Sequence, residues 1–210
     1  FQFLYKRQLS SCPDIAVSCI IRSMKSNLSY MALQTLEGKG GPSALTLSLF
    51  KTPYGTMIGA LHGEQLCYLA FIEKGKEAEA VERIQKVYPD AKISKAVSKS
   101  NDHVEQINAM MKGEDTGYII PVLLKGTEFY LRAWQALART QPSETLTYRD
   151  LATKAGNTRA ARSIGQAMSK NPLAYLIPCH RVLPSDGGFG NYAWGVDVKE
   201  KLLRDEGAEL

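Results

Sequence analysis

No run of roughly 18 apolar residues occurs in this chain, so nothing in it reads as a helical membrane span. Its first residues do not combine a basic region, a long apolar stretch and a small-residue cleavage site, so they do not read as a secretory leader. The expectation is a soluble protein without membrane contact, cytoplasmic, or nuclear in a eukaryote. Cysteine is scarce: Cys12, Cys19, Cys67 and Cys179 are the four present. They are too few and too irregularly spaced for a disulfide framework, and no Cys-x-x-Cys pair marks a zinc knuckle, so all four read as thiols. The chain opens on Phe1 and not Met, which leaves its true start unread.

What is present is 210 residues, 44% of them hydrophobic and 22% charged. That is enough apolar material for the core of one large or two small domains, and it argues against disorder, collagen or a coiled coil. Lys and Arg total 26 against 21 Asp and Glu, a formal charge of +5 at pH 7. The excess permits a polyanionic partner without requiring one.

Residues 1–42 show no clean period and end in Glu37-Gly38-Lys39-Gly40-Gly41-Pro42, which continues neither helix nor strand. A first boundary is placed there. Beyond it, alternating Leu45, Leu47 and Leu49 predict a strand over 44–50, Thr52-Pro53-Tyr54-Gly55 a turn, and 56–61 and 66–72 two further strands of a short antiparallel sheet. From Gly75 to Tyr88 the period changes, with Ala78, Val81, Ile84 and Tyr88 spaced as an amphipathic helix requires. A polar stretch over 94–101 and a short helix over 104–111 follow, and the chain reads as mostly helical from Thr127, with Phe129, Ala133, Trp134 and Leu137 on one face.

Thr147-Tyr148-Arg149-Asp150 has the form of a capping box, and the helix it opens ends at Gly156. A second helix over 158–170 carries Arg159, Arg162 and Lys170 on a body of Ala160, Ala161, Gly165, Ala167 and Ser169, and Asn171-Pro172 stops it. Two short helices joined at a glycine form a helix-turn-helix candidate. A small-residue helix bearing arginines suits close approach to nucleic acid, with basic groups on phosphates. It equally suits packing against another helix, and Arg162 can be a phosphate contact, a wedge into a base stack or a solvated charge.

An apolar run, Leu173 to Ile177, leads into Pro178-Cys179-His180-Arg181-Val182. A cysteine becomes a nucleophile when a neighbouring base stabilises its thiolate, and a histidine serves best as that base when a carboxylate holds its far nitrogen. A cysteine in an apolar segment is ordinarily an inert core residue, and that reading stands for Cys12, Cys19 and Cys67. Asp197-Val198-Lys199-Glu200 resembles another capping box, for a helix burying Leu202 and Leu203. Glu206 falls in its last turn, where an acid opposes the macrodipole by about 0.3–1 kcal/mol. It is therefore either solvated or held by a cation or a histidine. The loop Gly187-Gly188-Phe189-Gly190-Asn191-Tyr192 lacks a Walker-type lysine and does not read as a phosphate loop.

Pro178-Cys179-His180-Arg181-Val182, with Asn171-Pro172 before it and Leu202-Leu203-x-x-Glu206-Gly207 after it, resembles the O6-alkylguanine-DNA alkyltransferases. The resemblance runs over 44–207 and is densest from Tyr148. It implies an α/β fold in which residues 43–120 form a small ribonuclease-H-like α/β domain. Residues 121–210 would form a mostly helical DNA-binding and alkyltransferase domain with a helix-turn-helix, and residues 1–42 an extension of unassigned role.

By the same resemblance, Cys179 is the acceptor thiolate, His180 reaches it through a water, and Glu206 orients the imidazole. Tyr148 contacts the flipped nucleotide and is the donor to the leaving guanine. Arg162 enters the stack in place of the extruded base, with Arg159 and Ala160 beside it on the DNA. Asn171 is a hinge, the Val182 carbonyl reads the guanine amino group, and Tyr192 and Ala193 close the pocket. Ala193 and Trp194 stand where some relatives have serine and glycine, which makes the pocket wall bulkier.

The implied activity is direct-reversal repair of O6-alkylguanine; activity on O4-alkylthymine is left open by the sequence. Transfer to a thioether has no hydrolytic reversal, so each molecule reacts once. Some relatives hold zinc in the N-terminal domain; here His62 and Cys67 alone fall near such positions, so no metal and no cofactor is expected. The expected partner is double-stranded DNA carrying the lesion, and the expected state a monomer. Two other readings are a Cys-His-Glu hydrolase or acyltransferase that turns over, and a helix-turn-helix DNA binder whose cysteine is structural.

Overall fold

The computed structural model describes residues 26–37, 40–95 and 102–209. Most of the expected extension, with Cys12 and Cys19, and the polar stretch over 96–101 lie outside the described residues. The described residues fold as a mixed α/β structure of one six-stranded sheet, one two-stranded ladder and six α-helices.

The large sheet comprises β1 (Met31–Glu37), β2 (Ala44–Thr52), β3 (Gly55–His62), β4 (Gln65–Ile72), β5 (Lys92–Lys95) and β6 (Ile120–Gly126), in the order β1-β6-β4-β3-β2-β5. β2, β3 and β4 form the antiparallel meander expected over 44–72. The rest of the sheet corrects the sequence reading. β1 pairs parallel to β6, with Met31 opposite Ile120 and Glu37 opposite Gly126, and β5 pairs parallel to β2. The boundary placed at residue 42 therefore cuts off an integral strand, and the one at 120 falls at the head of another. β4 is buried from Leu66 to Phe71, as a strand covered on both faces must be.

One face of the sheet carries Leu45, Leu47, Ile58, Ala60 and Leu123 and is covered by α1 (Glu77–Val87), which buries Ala80 and Ile84 there. Glu77 and Glu79 in its first turn favour the positive end of the helix dipole. The other face, with Phe50, Met57, Leu69, Val122 and Leu124, shares a continuous core with α2 (Asp102–Met110), α3 (Glu128–Ala138) and the helices that follow. In α3, Thr127 caps the N-terminus, and buried Trp134 donates its indole N–H to the Ala167 carbonyl at 2.9 Å.

The capping box opens α4 (Tyr148–Lys154) with both reciprocal bonds formed: Asp150 N–H to Thr147 Oγ1 at 3.2 Å and Thr147 N–H to Asp150 Oδ2 at 2.9 Å. The chain leaves α4 through Gly156 at φ +86°, a left-handed conformation suited to glycine. The next helix, α5 (Ala161–Ser169), starts three residues later than the sequence suggested. Asn157 accepts from Arg159 N–H on its side chain and from Ala160 N–H on its carbonyl, which holds 157–160 as a turn. Arg159 and Ala160 thus precede the helix. The final helix, α6 (Val196–Asp205), starts after Gly195 and has no side-chain cap, so Asp197 is a first-turn acid and not a capping residue.

The link between sheet and helices is direct. Leu69 N–H donates to the Pro172 carbonyl at 2.7 Å and Ala174 N–H to the Leu69 carbonyl at 2.8 Å, so the segment after Asn171 lies along β4. Leu173 to Ile177 is buried throughout, as the apolar run predicted. Among the described residues no helix is long and apolar enough to cross a membrane.

Candidate active site

The segment anchored on β4 ends in a 3-10 turn, Cys179–Arg181, which continues into β8 (Val182–Leu183). β8 pairs parallel to β7 (Leu146–Thr147), with Leu146 opposite Val182 and Thr147 opposite Leu183. Tyr148 follows β7 immediately, so this ladder places the first residue of α4 beside the cysteine turn. The glycine-rich loop after β8 is pinned where Gly190, at φ +65°, faces Pro184; a Cβ there would lie 2.7 Å from the proline ring. The loop returns Tyr192 over the turn.

Cys179 is buried, and its thiol has polar company. The Asn171 amide donates to Sγ at 3.2 Å and to the Ile177 carbonyl at 2.9 Å, while Asn171 Oδ1 accepts from Leu173 N–H. Burial pushes the thiol up to about 11, against the opposing pull of the Asn171 bond and the Lys199 charge. The resting group is therefore a neutral thiol. Burial likewise lowers Lys199 to about 8, and its Nζ donates to the Val182 carbonyl at 2.8 Å. Tyr148 is half-buried, its hydroxyl held neutral by burial and by the nearby thiol. The Tyr192 hydroxyl is buried beside the Cys179 thiol, and burial followed by that neighbour raises it well above the usual range.

His180 is fully buried between two aromatic rings. Tyr175 lies nearly parallel to it at 6.4 Å between centroids, and Tyr192 meets it edge-on at 6.4 Å. Its Nε2 is 3.1 Å from Glu206 Oε1. Burial lowers the imidazole below its ordinary value, opposed by the Glu206 bond and charge, so it rests neutral. Burial would raise Glu206, but hydrogen bonds from Arg181 and then His180 prevail and hold it at about 2. An ionised carboxylate only accepts, so Nε2 carries the proton and Nδ1, buried without a protein partner, is the basic atom.

The sequence left Glu206 either solvated or held by a cation or a histidine; it is held by both. Arg181 donates Nε to Oε2 at 2.8 Å and Nη2 to Oε1 at 2.7 Å, and its Nη1 reaches the Thr140 carbonyl at 2.7 Å. Arg181, Thr140 and Lys199 were given no role from sequence. A charged residue inside an apolar motif was a usable signal for Arg181, since buried guanidinium groups need carboxylate partners.

Cys179, His180, Glu206, Asn171, Val182, Tyr148 and Tyr192 thus converge. Arg159, in the turn before α5, and Arg162, in its first turn, are exposed, and Ala160 between them is partly buried. Ala193 is exposed. Trp194 turns toward the sheet, edge-on to Phe71 at 6.2 Å and to Tyr192 at 5.1 Å, and so backs the pocket through Tyr192. Among the described residues no group of three His, Cys, Asp or Glu side chains could hold a metal ion.

Fold and site define a class: an α/β protein with a buried cysteine set beside a His–Glu pair. Residues 128–208 match the family model described as the DNA-binding domain of 6-O-methylguanine DNA methyltransferase. A methylated-DNA–protein-cysteine methyltransferase of Methanosarcina acetivorans is 33% identical over 77% of this chain and 97% of that protein. The bifunctional transcriptional activator/DNA repair enzyme Ada of Escherichia coli is 34% identical over 90% of this chain, which spans 52% of that protein's length. Among solved structures, that of Mycobacterium tuberculosis OGT in complex with DNA superposes with a TM-score of 0.63 at 29% identity, covering 77% of this chain and 93% of that one. The chain belongs to the methylated-DNA–protein-cysteine methyltransferase family.

Proposed function

We propose that this chain repairs DNA by moving an alkyl group from O6 of guanine to Cys179, once per molecule, after the base leaves the duplex. The carrying observation is the contrast between two buried cysteines. Cys67, in the sheet, is pushed up to about 12 by burial; its thiol donates to the Gln65 carbonyl at 3.4 Å and has the His62 backbone as its other polar neighbour. Cys179 instead has an amide on its sulfur, a lysine and two tyrosine hydroxyls nearby, and a carboxylate-held histidine next to it in sequence. A structural cysteine has no use for these groups.

The thiol proton passes to His180 Nδ1 through a water, and Glu206 stabilises the imidazolium that forms. The Sγ–C bond forms as the O6–C bond breaks, and the electron pair stays on O6. Tyr148 donates a hydrogen bond to the departing base in this scheme, and the proton that left the thiol ends on guanine. No cofactor enters this sequence. O4-alkylthymine fits the same chemistry.

The finer fold reading supports this scheme. We read the sheet-bearing part as ribonuclease-H-like, and α4 with α5 as a helix-turn-helix that brings Arg159, Ala160 and Arg162 to duplex DNA, with Arg162 filling the space of the flipped base. Asn171 ties the end of that unit to the thiol, the Val182 carbonyl faces the guanine amino group, and Tyr192, Ala193 and Trp194 form the closing wall. The protein acts as a monomer in the cytoplasm or nucleus. Incubation with duplex DNA carrying an isotope-labelled O6-methyl group tests the reading: the label is expected on the peptide containing Cys179. Label that stays on the DNA, or on another peptide, overturns it.

A further inference from the structure

The segment ahead of β1 reaches the site. Asn27 starts a 3-10 turn, Asn27–Tyr30, and is buried at 5% exposure although its side chain is polar. Its amide Nδ2 donates to the Tyr175 carbonyl at 2.8 Å, and its Oδ1 accepts from Arg181 Nη2 at 3.5 Å. Both partners bear on His180. Tyr175 is a non-glycine residue at φ +70°, a conformation its side chain disfavours, and its ring lies parallel to the imidazole. Arg181 grips both oxygens of Glu206, which in turn holds His180 Nε2.

We propose that Asn27 is a positioning residue of the alkyl-transfer site, fixing His180 from two sides: through the left-handed backbone of Tyr175 and through the Arg181–Glu206 pair. The inference rests on the proposed function, because it assigns His180 as the base. An asparagine suits the task because one short, uncharged side chain donates to the carbonyl and accepts from the guanidinium at once. A hydrophobic residue would leave the Tyr175 carbonyl unpaired in the interior, and an acid would compete with Glu206 for Arg181. The two bonds cross 148 and 154 positions of sequence, so part of what precedes the first strand belongs to the site.

The test compares the full chain with its Asn27→Ala and Asn27→Asp variants in three measurements. These are the single-turnover rate of methyl transfer at saturating O6-methylguanine duplex, the Kd for that duplex, and the rate of Cys179 alkylation by iodoacetamide. Loosening the imidazole is expected to slow transfer about tenfold in both folded variants while Kd stays within about twofold, with slower alkylation alongside. A merely structural Asn27 would lower stability and leave the rate per folded molecule unchanged. Wild-type transfer and alkylation rates in either folded variant would overturn the proposal, as would failure of both variants to fold. If the wild-type chain takes no methyl group from DNA, the functional reading falls, and the alkylation comparison still decides the role of Asn27.

Discussion

Arg181 and Glu206 form a bidentate pair, 2.8 Å and 2.7 Å between their atoms, with the guanidinium 1% exposed and the carboxylate 11%. The pair joins the cysteine turn to the end of the last helix and keeps the Glu206 carboxylate ionised. A pair this buried adds little over an apolar substitute, but removing one member strands the other.

Glu206→Gln is therefore expected to lower stability by about 3–5 kcal/mol, against about 0–1 kcal/mol for Glu128→Gln at the exposed Arg132 pair. The pH dependence has a definite sign. Glu206 is depressed when folded, so its contribution is complete above the unfolded value of about 4.3 and is lost as pH falls through about 2. Urea unfolding of the wild-type chain should show that loss, and Glu206→Gln should lack this part of it. Equal slopes would mean the pair does not form.

Lys199→Met removes a buried charge that lowers the Cys179 thiol and a donor to the Val182 carbonyl. With the cation gone, the thiol moves further up and less thiolate is available. Alkylation of Cys179 by iodoacetamide at neutral pH should slow about three- to tenfold. Faster alkylation would show that Lys199 opposes thiolate formation.

Arg162 is exposed at the second position of α5, free of the core, so Arg162→Ala should leave stability within about 0.5 kcal/mol. It should slow repair of duplex DNA about tenfold while sparing reaction with free O6-methylguanine. Equal losses on both substrates would remove the wedge role.

The site was legible in sequence where its members are local. Pro178 to Val182 and Asn171 lie within a dozen positions of one another, and the first strand of the meander announces itself by alternation; Glu206, 26 positions from His180, was tied to it only through the family resemblance. What stayed hidden depends on chain segments that meet only on folding. β1 and β6 pair across about 90 positions, and a parallel partner so distant leaves no local period in either strand. Arg181 meets Thr140, Asn27 and Glu206 in the same way. Its burial is dictated by the fold and not by its neighbours in sequence. The late start of α5 was missed for a local reason: the Asn157 turn competes with the helix for the backbone of Arg159 and Ala160.

The most direct test of transfer to Cys179 is the intact mass of the protein after incubation with excess duplex DNA containing O6-methylguanine, with Cys179→Ala alongside. The account predicts a gain of one methyl group per molecule that never exceeds one, and no gain in Cys179→Ala, which still binds the DNA. An unchanged mass in wild-type protein that binds the duplex, or an equal gain in Cys179→Ala, would contradict it.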